Sequence, residues 1–188
     1  MLQVPKVQQR VGIDVTHCGG DLFLTMINCG PSRFSIWRPL NQSCGAEIVR
    51  HLESVFYERG APEELLANND TAFRSHEIAR LAKGWGTHIL FRCASAPSGN
   101  GITEQCHRTI KVTAARTRCT VREAVYRYNL MPRDNCSAST APINMVYRYI
   151  ARDWEEALTD RAERDTRCPY FVGEAVWIKP HASRCTTR

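Results

Sequence analysis

The stretch Val11-Gly12-Ile13-Asp14-Val15-Thr16 decides the fold, because its side chains alternate strictly between two faces. The two valines and the isoleucine share one face of a predicted strand, whereas Gly12, Asp14 and Thr16 share the other. A carboxylate inside an otherwise apolar strand is costly unless a cation or solvent compensates its charge. Asp14 therefore marks either an exposed strand face, a salt bridge or a functional site.

Two more strand-like runs follow this stretch, and a short turn precedes each of them. Cys18-Gly19-Gly20-Asp21 leads into the apolar run Leu22 to Ile27, and a second turn at residues 28–32 precedes Phe34 to Trp37. Three strands joined by short turns predict an antiparallel meander.

The hydrophobic period then changes to that of a helix. The pattern predicts a helix with Ile48, Leu52, Val55 and Phe56 inward, a strand at Glu64–Asn68, a helix capped by Ser75, a strand at Thr87–Cys93, a long helix from about Ile102 to Arg116, and a helix opened by the capping box Thr120–Glu123. The predicted fold class is α/β, a mixed five-stranded sheet of three antiparallel strands and then αβ crossovers, with helices on both faces.

Composition points to a soluble globular protein with one domain of ordinary size. The chain has 188 residues, of which 43% are hydrophobic and 23% charged. No apolar run reaches membrane-spanning length, and the N-terminus shows no secretory signal pattern. Nine cysteines without a Cys-x-x-Cys pair favour reduced intracellular thiols. A net charge of +6 favours a polyanionic partner.

The long helix predicted from residue 102 carries a charged stripe. Glu104, Arg108 and Lys111 recur at helical spacing, and we expect them on an exposed face, opposite Ile102, Cys106 and Ile110 on the core side. An acid followed by two bases is typical of helix-stabilising ion pairs. The same order also suits a site in which the acid holds a metal ion and the bases hold phosphates.

Three blocks of sequence, in order and correctly spaced, resemble a known family. The blocks Gly12–His17, Thr71–Ser75 and Gly99–Arg108 are similar to the integrase catalytic core of gypsy-like long-terminal-repeat retrotransposons and of retroviruses. The resemblance covers roughly residues 8–150 and implies a ribonuclease H-like fold. It implies an integrase core at residues 1–150. Residues 151–188 would then be a linker helix and the truncated start of a C-terminal β-barrel DNA-binding domain.

The resemblance also implies a chemistry that needs three carboxylates. In this family they hold two Mg²⁺ or Mn²⁺ ions, which drive phosphoryl (strand) transfer between DNA ends and target DNA. The match places the first acid on Asp14 and the third on Glu104. Counting five residues back from Phe73, or thirty-five intervening residues back from Glu104, places the second on Asn68.

Asn68 offers a neutral oxygen where the family has a charged ligand. By analogy with breaking a buried charge pair, the loss is expected to cost about 3–5 kcal/mol, or about 10²–10⁴-fold in rate. Asp70 is a candidate substitute acid, since two residues along a strand returns a side chain to the same face. We therefore expect a core with the integrase fold whose strand transfer is impaired.

The resemblance further assigns DNA contacts to Asn100, Arg108 and Lys111, whose alternative role is solvated surface charge. It implies DNA as the partner, a homodimer or larger assembly, no membrane association, and an intracellular, nuclear location. Two other functions stay open. One is a non-catalytic DNA-binding or dimerisation module derived from an integrase, and the other is a nuclease of the broader ribonuclease H group.

Overall fold

The computed structural model describes residues 6, 8–92, 101–134 and 137–147. The chain divides between residues 151 and 152, and every described residue belongs to the first part. The predicted linker helix and barrel segment at residues 151–188 lie outside the described residues, so the domain assignment stays a prediction.

Five strands and five α-helices make up the described part of the chain. The strands are β1 (Arg10–Cys18), β2 (Asp21–Asn28), β3 (Ser35–Leu40), β4 (Glu64–Ala67) and β5 (His88–Phe91). The helices are α1 (Gly45–Arg59), α2 (His76–Trp85), α3 (Gly101–Thr117), α4 (Val121–Leu130) and α5 (Pro142–Val146), and a 3₁₀ turn at Ala138–Thr140 precedes α5.

The strands form one mixed sheet in the order β3-β2-β1-β4-β5. The first three strands pair antiparallel, and β4 and β5 are parallel to β1. Parallel pairing requires crossover connections, which α1 and α2 supply. The predicted fold class is confirmed, with an additional short helix, α5, that the hydrophobic pattern did not indicate.

Each face of the sheet is covered by helices, and the alternation in β1 sends its side chains to both faces. Val11 and Ile13 belong to the larger core, which α1 and α2 complete with Ile48, Leu52 and Leu81. The other face carries α3 and α4, whose buried side chains form a second, smaller core around Ile27: Cys106, Ile110, Ala124, Val125 and Tyr128. Asp14 therefore points toward α3, away from the larger core.

Two of the predicted helix starts are confirmed by their caps. The Ser75 hydroxyl accepts a hydrogen bond from the backbone N–H of Ile78, and that of Thr120 accepts one from Glu123. Each bond satisfies an N–H that the first helical turn leaves without a partner.

The predicted limits of β4 and β5 were too long. β4 ends at Ala67 and β5 starts at His88 and ends at Phe91. Thr87 is excluded from β5 because its N–H closes the end of α2 on the Ala82 carbonyl and its hydroxyl donates to Pro62 O. The pairing of β5 with β4 therefore begins one residue later, at His88.

The predicted orientation of α3 was wrong in part. Its buried residues are Thr103, Cys106 and Ile110, and Ile102 is half-buried against the same core, as predicted. Lys111 does not share the exposed stripe of Glu104 and Arg108, because its ammonium reaches down to the sheet and donates to Thr16. The long flexible stem of lysine allows this.

Among the described residues, no helix is long and apolar enough to cross a lipid bilayer. The five cysteines in this part of the chain are free thiols.

Candidate functional site

Asp14 and Asn68 meet at the centre of the sheet. In the parallel ladder of β1 and β4, Ile13 lies opposite Ala67, so the next residues on the two strands come side by side. The Asn68 Nδ2 atom donates a hydrogen bond of 2.9 Å to Asp14 Oδ1, and both side chains are partly buried. The sequence count that selected Asn68 thus identified a residue in direct contact with Asp14.

A second hydrogen bond fixes the orientation of the Asn68 amide. Its Oδ1 atom accepts from the backbone N–H of Asp70 at 3.0 Å. Turning the amide over would place oxygen against a carboxylate and NH₂ against an N–H, which removes both bonds. Asn68 therefore presents an N–H donor to Asp14.

The side chain of Asp70 stabilises the turn that follows β4. Its Oδ1 accepts from the Ala72 N–H at 2.9 Å, and its backbone carbonyl accepts from Phe73 at 3.1 Å. The turn places Phe73, which is 1% exposed, in the larger core. Aspartate suits this position because its side chain bonds the backbone two residues ahead.

Helix α3 reaches the same face of the sheet through Gly12. A methyl group on Gly12 would lie 3.1 Å from Thr103 Oγ1, so the absence of a side chain lets the start of α3 approach β1. Glu104 is the next residue after Thr103, in the first turn of α3, and it is exposed. Asp14 lies two residues after Gly12, on the same face of β1.

Arg92, which the sequence analysis missed, is a cation that interacts electrostatically with both acids. The backbone N–H of Arg92 donates to the backbone carbonyl of Ala67 at 3.0 Å. The side chain reaches back over β1, where a methyl group on Gly12 would lie 3.4 Å from Arg92 Nη2. Burial lowers the pKa of this guanidinium, while the negative charges of Asp14 and Glu104 raise it. Asp14 and Glu104 therefore act on one shared guanidinium.

The two predicted DNA-contacting bases in the described residues take different positions. Arg108 is exposed on α3, one turn after Glu104. Lys111 Nζ donates to Thr16 Oγ1 at 2.8 Å, on the Asp14 face of β1. Asn100 lies outside the described residues.

His107 connects α3 to the backbone of Asp14. Its Nε2 atom lies 2.8 Å from Thr25 Oγ1, and that hydroxyl donates to the Asp14 carbonyl at 3.0 Å. The hydroxyl hydrogen is thus committed to Asp14, so Thr25 accepts from His107, which is neutral with its proton on Nε2. Burial, followed by the nearby charge of Lys111, lowers the pKa of His107 to about 4.

This lowered pKa predicts a loss of stability in mild acid. Above the unfolded pKa of about 6.5, His107 is neutral in both the folded and the unfolded chain, and the fold keeps its full stability. As the pH falls toward 4, the unfolded chain binds a proton that the folded chain does not, so stability is lost. Because the ring is only partly buried, we expect the loss to be about 2 kcal/mol in the free energy of unfolding. Urea unfolding at pH 7 and pH 4 measures it.

The His107→Gln variant keeps an N–H donor for Thr25 but does not titrate in this range. Its stability is expected to fall less between pH 7 and pH 4 than that of the unmodified protein. His88→Gln, at an exposed position in β5, serves as the control and should leave the pH dependence unchanged. Equal pH dependence in the unmodified protein and His107→Gln would contradict the assignment.

The arrangement does not fit a two-metal site. Among the residues that the structure describes, no group of three or more His, Cys, Asp or Glu is placed to hold a metal ion. At the position that the resemblance assigns to the second carboxylate, Asn68 directs an N–H toward Asp14 Oδ1, whereas a metal ion would require an acceptor there. The positive charge of Arg92 also interacts electrostatically with Asp14 and Glu104.

The sheet order, with helices on both faces, defines the ribonuclease H-like fold of integrase cores. A solved structure of the catalytic core domain of BIV integrase is similar to this chain, with a TM-score of 0.61 and 17% sequence identity. The similarity covers 82% of this chain and 99% of that one, and at this identity it establishes the fold. No protein-family model and no curated protein matches the sequence.

Proposed function

We propose that this chain is a retrotransposon-type integrase core that binds DNA and whose metal-dependent strand transfer is impaired. The observation that carries the proposal is the hydrogen bond of 2.9 Å from Asn68 to Asp14. In this position a second aspartate would repel Asp14 until a metal ion neutralised both carboxylates. The asparagine instead satisfies Asp14 without a metal.

The surroundings of this hydrogen bond support the same conclusion. Asp70, the candidate substitute, uses Oδ1 to hold the turn at Ala72 and is exposed. The positive charge of Arg92 interacts electrostatically with both Asp14 and Glu104. We infer that Asp70 does not replace the missing ligand, and that Asp14 and Glu104 hold Mg²⁺ or Mn²⁺ ions only weakly.

The proposed partner is DNA. The chain has a formal net charge of +6, and Arg108 is an exposed base on the helix that carries Glu104. Lysine and arginine bind the phosphate backbone without regard to sequence. Assembly as a homodimer or larger complex and a nuclear location belong to the same proposal and rest on the resemblance to integrases.

A second candidate is a non-catalytic DNA-binding or dimerisation module derived from an integrase. It is favoured by one observation, that the described residues provide no group of three metal ligands. The two candidates differ in residual strand transfer, since only the first retains any.

DNA affinity tests the proposal without requiring turnover. We expect Mg²⁺ not to raise the affinity of the unmodified protein for a short labelled DNA duplex above the affinity measured in EDTA at matched ionic strength. Arg108→Ala should weaken binding several-fold and reduce the slope of log affinity against log salt by about 1. Fluorescence anisotropy at several salt concentrations measures both quantities.

Arg50→Ala is the matched control, because Arg50 lies on α1 at the other face of the sheet and pairs with Glu47 at 3.1 Å. It should leave DNA affinity unchanged. Absence of DNA binding would refute the proposed partner, and a marked gain in affinity with Mg²⁺ would refute the disabled metal site.

A further inference from the structure

A cavity of about 190 Å³ lies between the sheet and the C-terminal end of α1, on the face opposite Asp14. Most of its walls are apolar side chains from four strands and α1: Val11, Met26, Ile36, Val55, Phe56 and Leu65. An engineered protein cavity of about 150 Å³ admits benzene, so this volume suffices for one small ring or branched chain.

One basic side chain interrupts the apolar walls. Arg59, the last residue of α1, lines the cavity, and its Nε and Nη1 atoms are buried without a hydrogen-bond partner among the described residues. The guanidinium lies over the rings of Phe34 and Tyr147, with its carbon 4.7 Å and 5.2 Å from their centroids. The ring faces attract the cation but provide no acceptor for N–H groups that lie in the guanidinium plane.

The other polar groups at this cavity are already paired. Asn28 Oδ1 accepts from the Gly30 N–H at 2.7 Å, and its Nδ2 donates to Gln8 Oε1 at 3.5 Å. Gln8 in turn donates to the Gly60 carbonyl at 3.4 Å. Among the polar residues that line this cavity, Arg59 is therefore the one with N–H groups available to bind a ligand.

No acidic residue of the described part of the chain forms an ion pair with Arg59. Arg59 as a whole is half-buried. Two of its N–H groups are nevertheless buried, and buried N–H groups are normally hydrogen-bonded. A water molecule would supply an acceptor but no charge. A carboxylate supplies both, and guanidinium groups bind carboxylates strongly.

We propose that this cavity is a binding site for a small organic monocarboxylate with an apolar body, about the size of benzoate. The carboxylate accepts hydrogen bonds from Arg59, and the apolar body packs among Met26, Val55 and Leu65. A free phosphate fits these walls poorly, because they would strip water from a doubly charged ion without replacing its hydrogen bonds. The site is separate from Asp14 and does not depend on the proposed DNA-related function.

The methyl groups of methionine report on this cavity directly. Met26 lines it and is 3% exposed, whereas Met131 is 56% exposed and lies beyond α4. In the full chain labelled with ¹³C-methyl methionine, benzoate is expected to shift the Met26 signal in a saturable manner and to leave Met131 unchanged. Benzamide, the neutral analogue of similar shape, is expected to bind about 10- to 100-fold more weakly.

Two arginine variants on α1 complete the experiment. Arg59→Leu should abolish the saturable shift of Met26 at the same benzoate concentrations, while Arg50→Leu, at an exposed position of the same helix, should leave it intact. The proposal is overturned if benzoate leaves the Met26 signal of the unmodified protein unchanged, or if benzamide binds as tightly as benzoate. It is also overturned if Arg59→Leu retains the response.

Discussion

Replacing Asn68 with aspartate is expected to raise metal-dependent strand transfer by about 10²–10⁴-fold over the unmodified protein. The change restores the third carboxylate at the corner of the site where Asn68 now donates to Asp14 Oδ1. The new side chain retains an oxygen to accept the Asp70 N–H, so the local turn is preserved.

The same variant should be less stable than the unmodified protein when metal is absent. It exchanges a hydrogen bond for two carboxylates side by side in a partly buried position, at a cost of about 1–3 kcal/mol. Mn²⁺ should recover this loss, because an ion that binds only the folded state stabilises it. Thermal unfolding in EDTA and in Mn²⁺ therefore provides a readout that is independent of turnover.

Asn69→Asp is the matched control for this experiment. It adds the same charge one residue later, where the side chain donates to the Arg92 carbonyl and not to Asp14. We expect neither new strand transfer nor a Mn²⁺-dependent gain in stability from it. If the unmodified protein already matches Asn68→Asp in turnover, the site is not impaired and the proposed function fails.

The placement of Asn68 beside Asp14 could be predicted from strand alternation together with the spacing that the resemblance to integrases implies. Alternation in residues 11–16 determined which face Asp14 occupies, and the residue count reached Asn68 at the end of the adjacent parallel strand. Arg92 was not predictable in the same way. It follows β5 on the far side of β4, and only its long side chain brings the charge back to Gly12.

Helix α3 shows that a hydrophobic periodicity can leave out a buried residue. Ile102 packs against the smaller core as expected. Thr103, which was not expected there, is also buried, because Gly12 leaves room for a small side chain directly above β1. Hydrophobicity alone does not rank threonine above isoleucine. The site of Arg59 was likewise invisible in the sequence, since a cavity is the space that several separate elements fail to fill.

Asn129 is a further residue whose role only the tertiary structure shows. It is 4% exposed on α4, and its side chain forms two hydrogen bonds with the backbone of Ser35 in β3. The Oδ1 atom accepts from the Ser35 N–H at 2.9 Å, and Nδ2 donates to the Ser35 carbonyl at 2.8 Å. Because β3 is the outer strand of the sheet, Asn129 takes the place of a missing neighbouring strand.

Asn129→Leu should therefore destabilise the protein by about 2–4 kcal/mol, because two buried backbone groups lose their partners while the number and branching of side-chain heavy atoms stay the same. Urea unfolding followed by the fluorescence of the tryptophans, one of which is Trp37 in β3, measures the change. Arg122→Leu, at an exposed position of the same helix, should stay within about 0.5 kcal/mol of the unmodified protein. A loss in Asn129→Leu no larger than this control would mean that water reaches the edge of β3 and that α4 does not secure it.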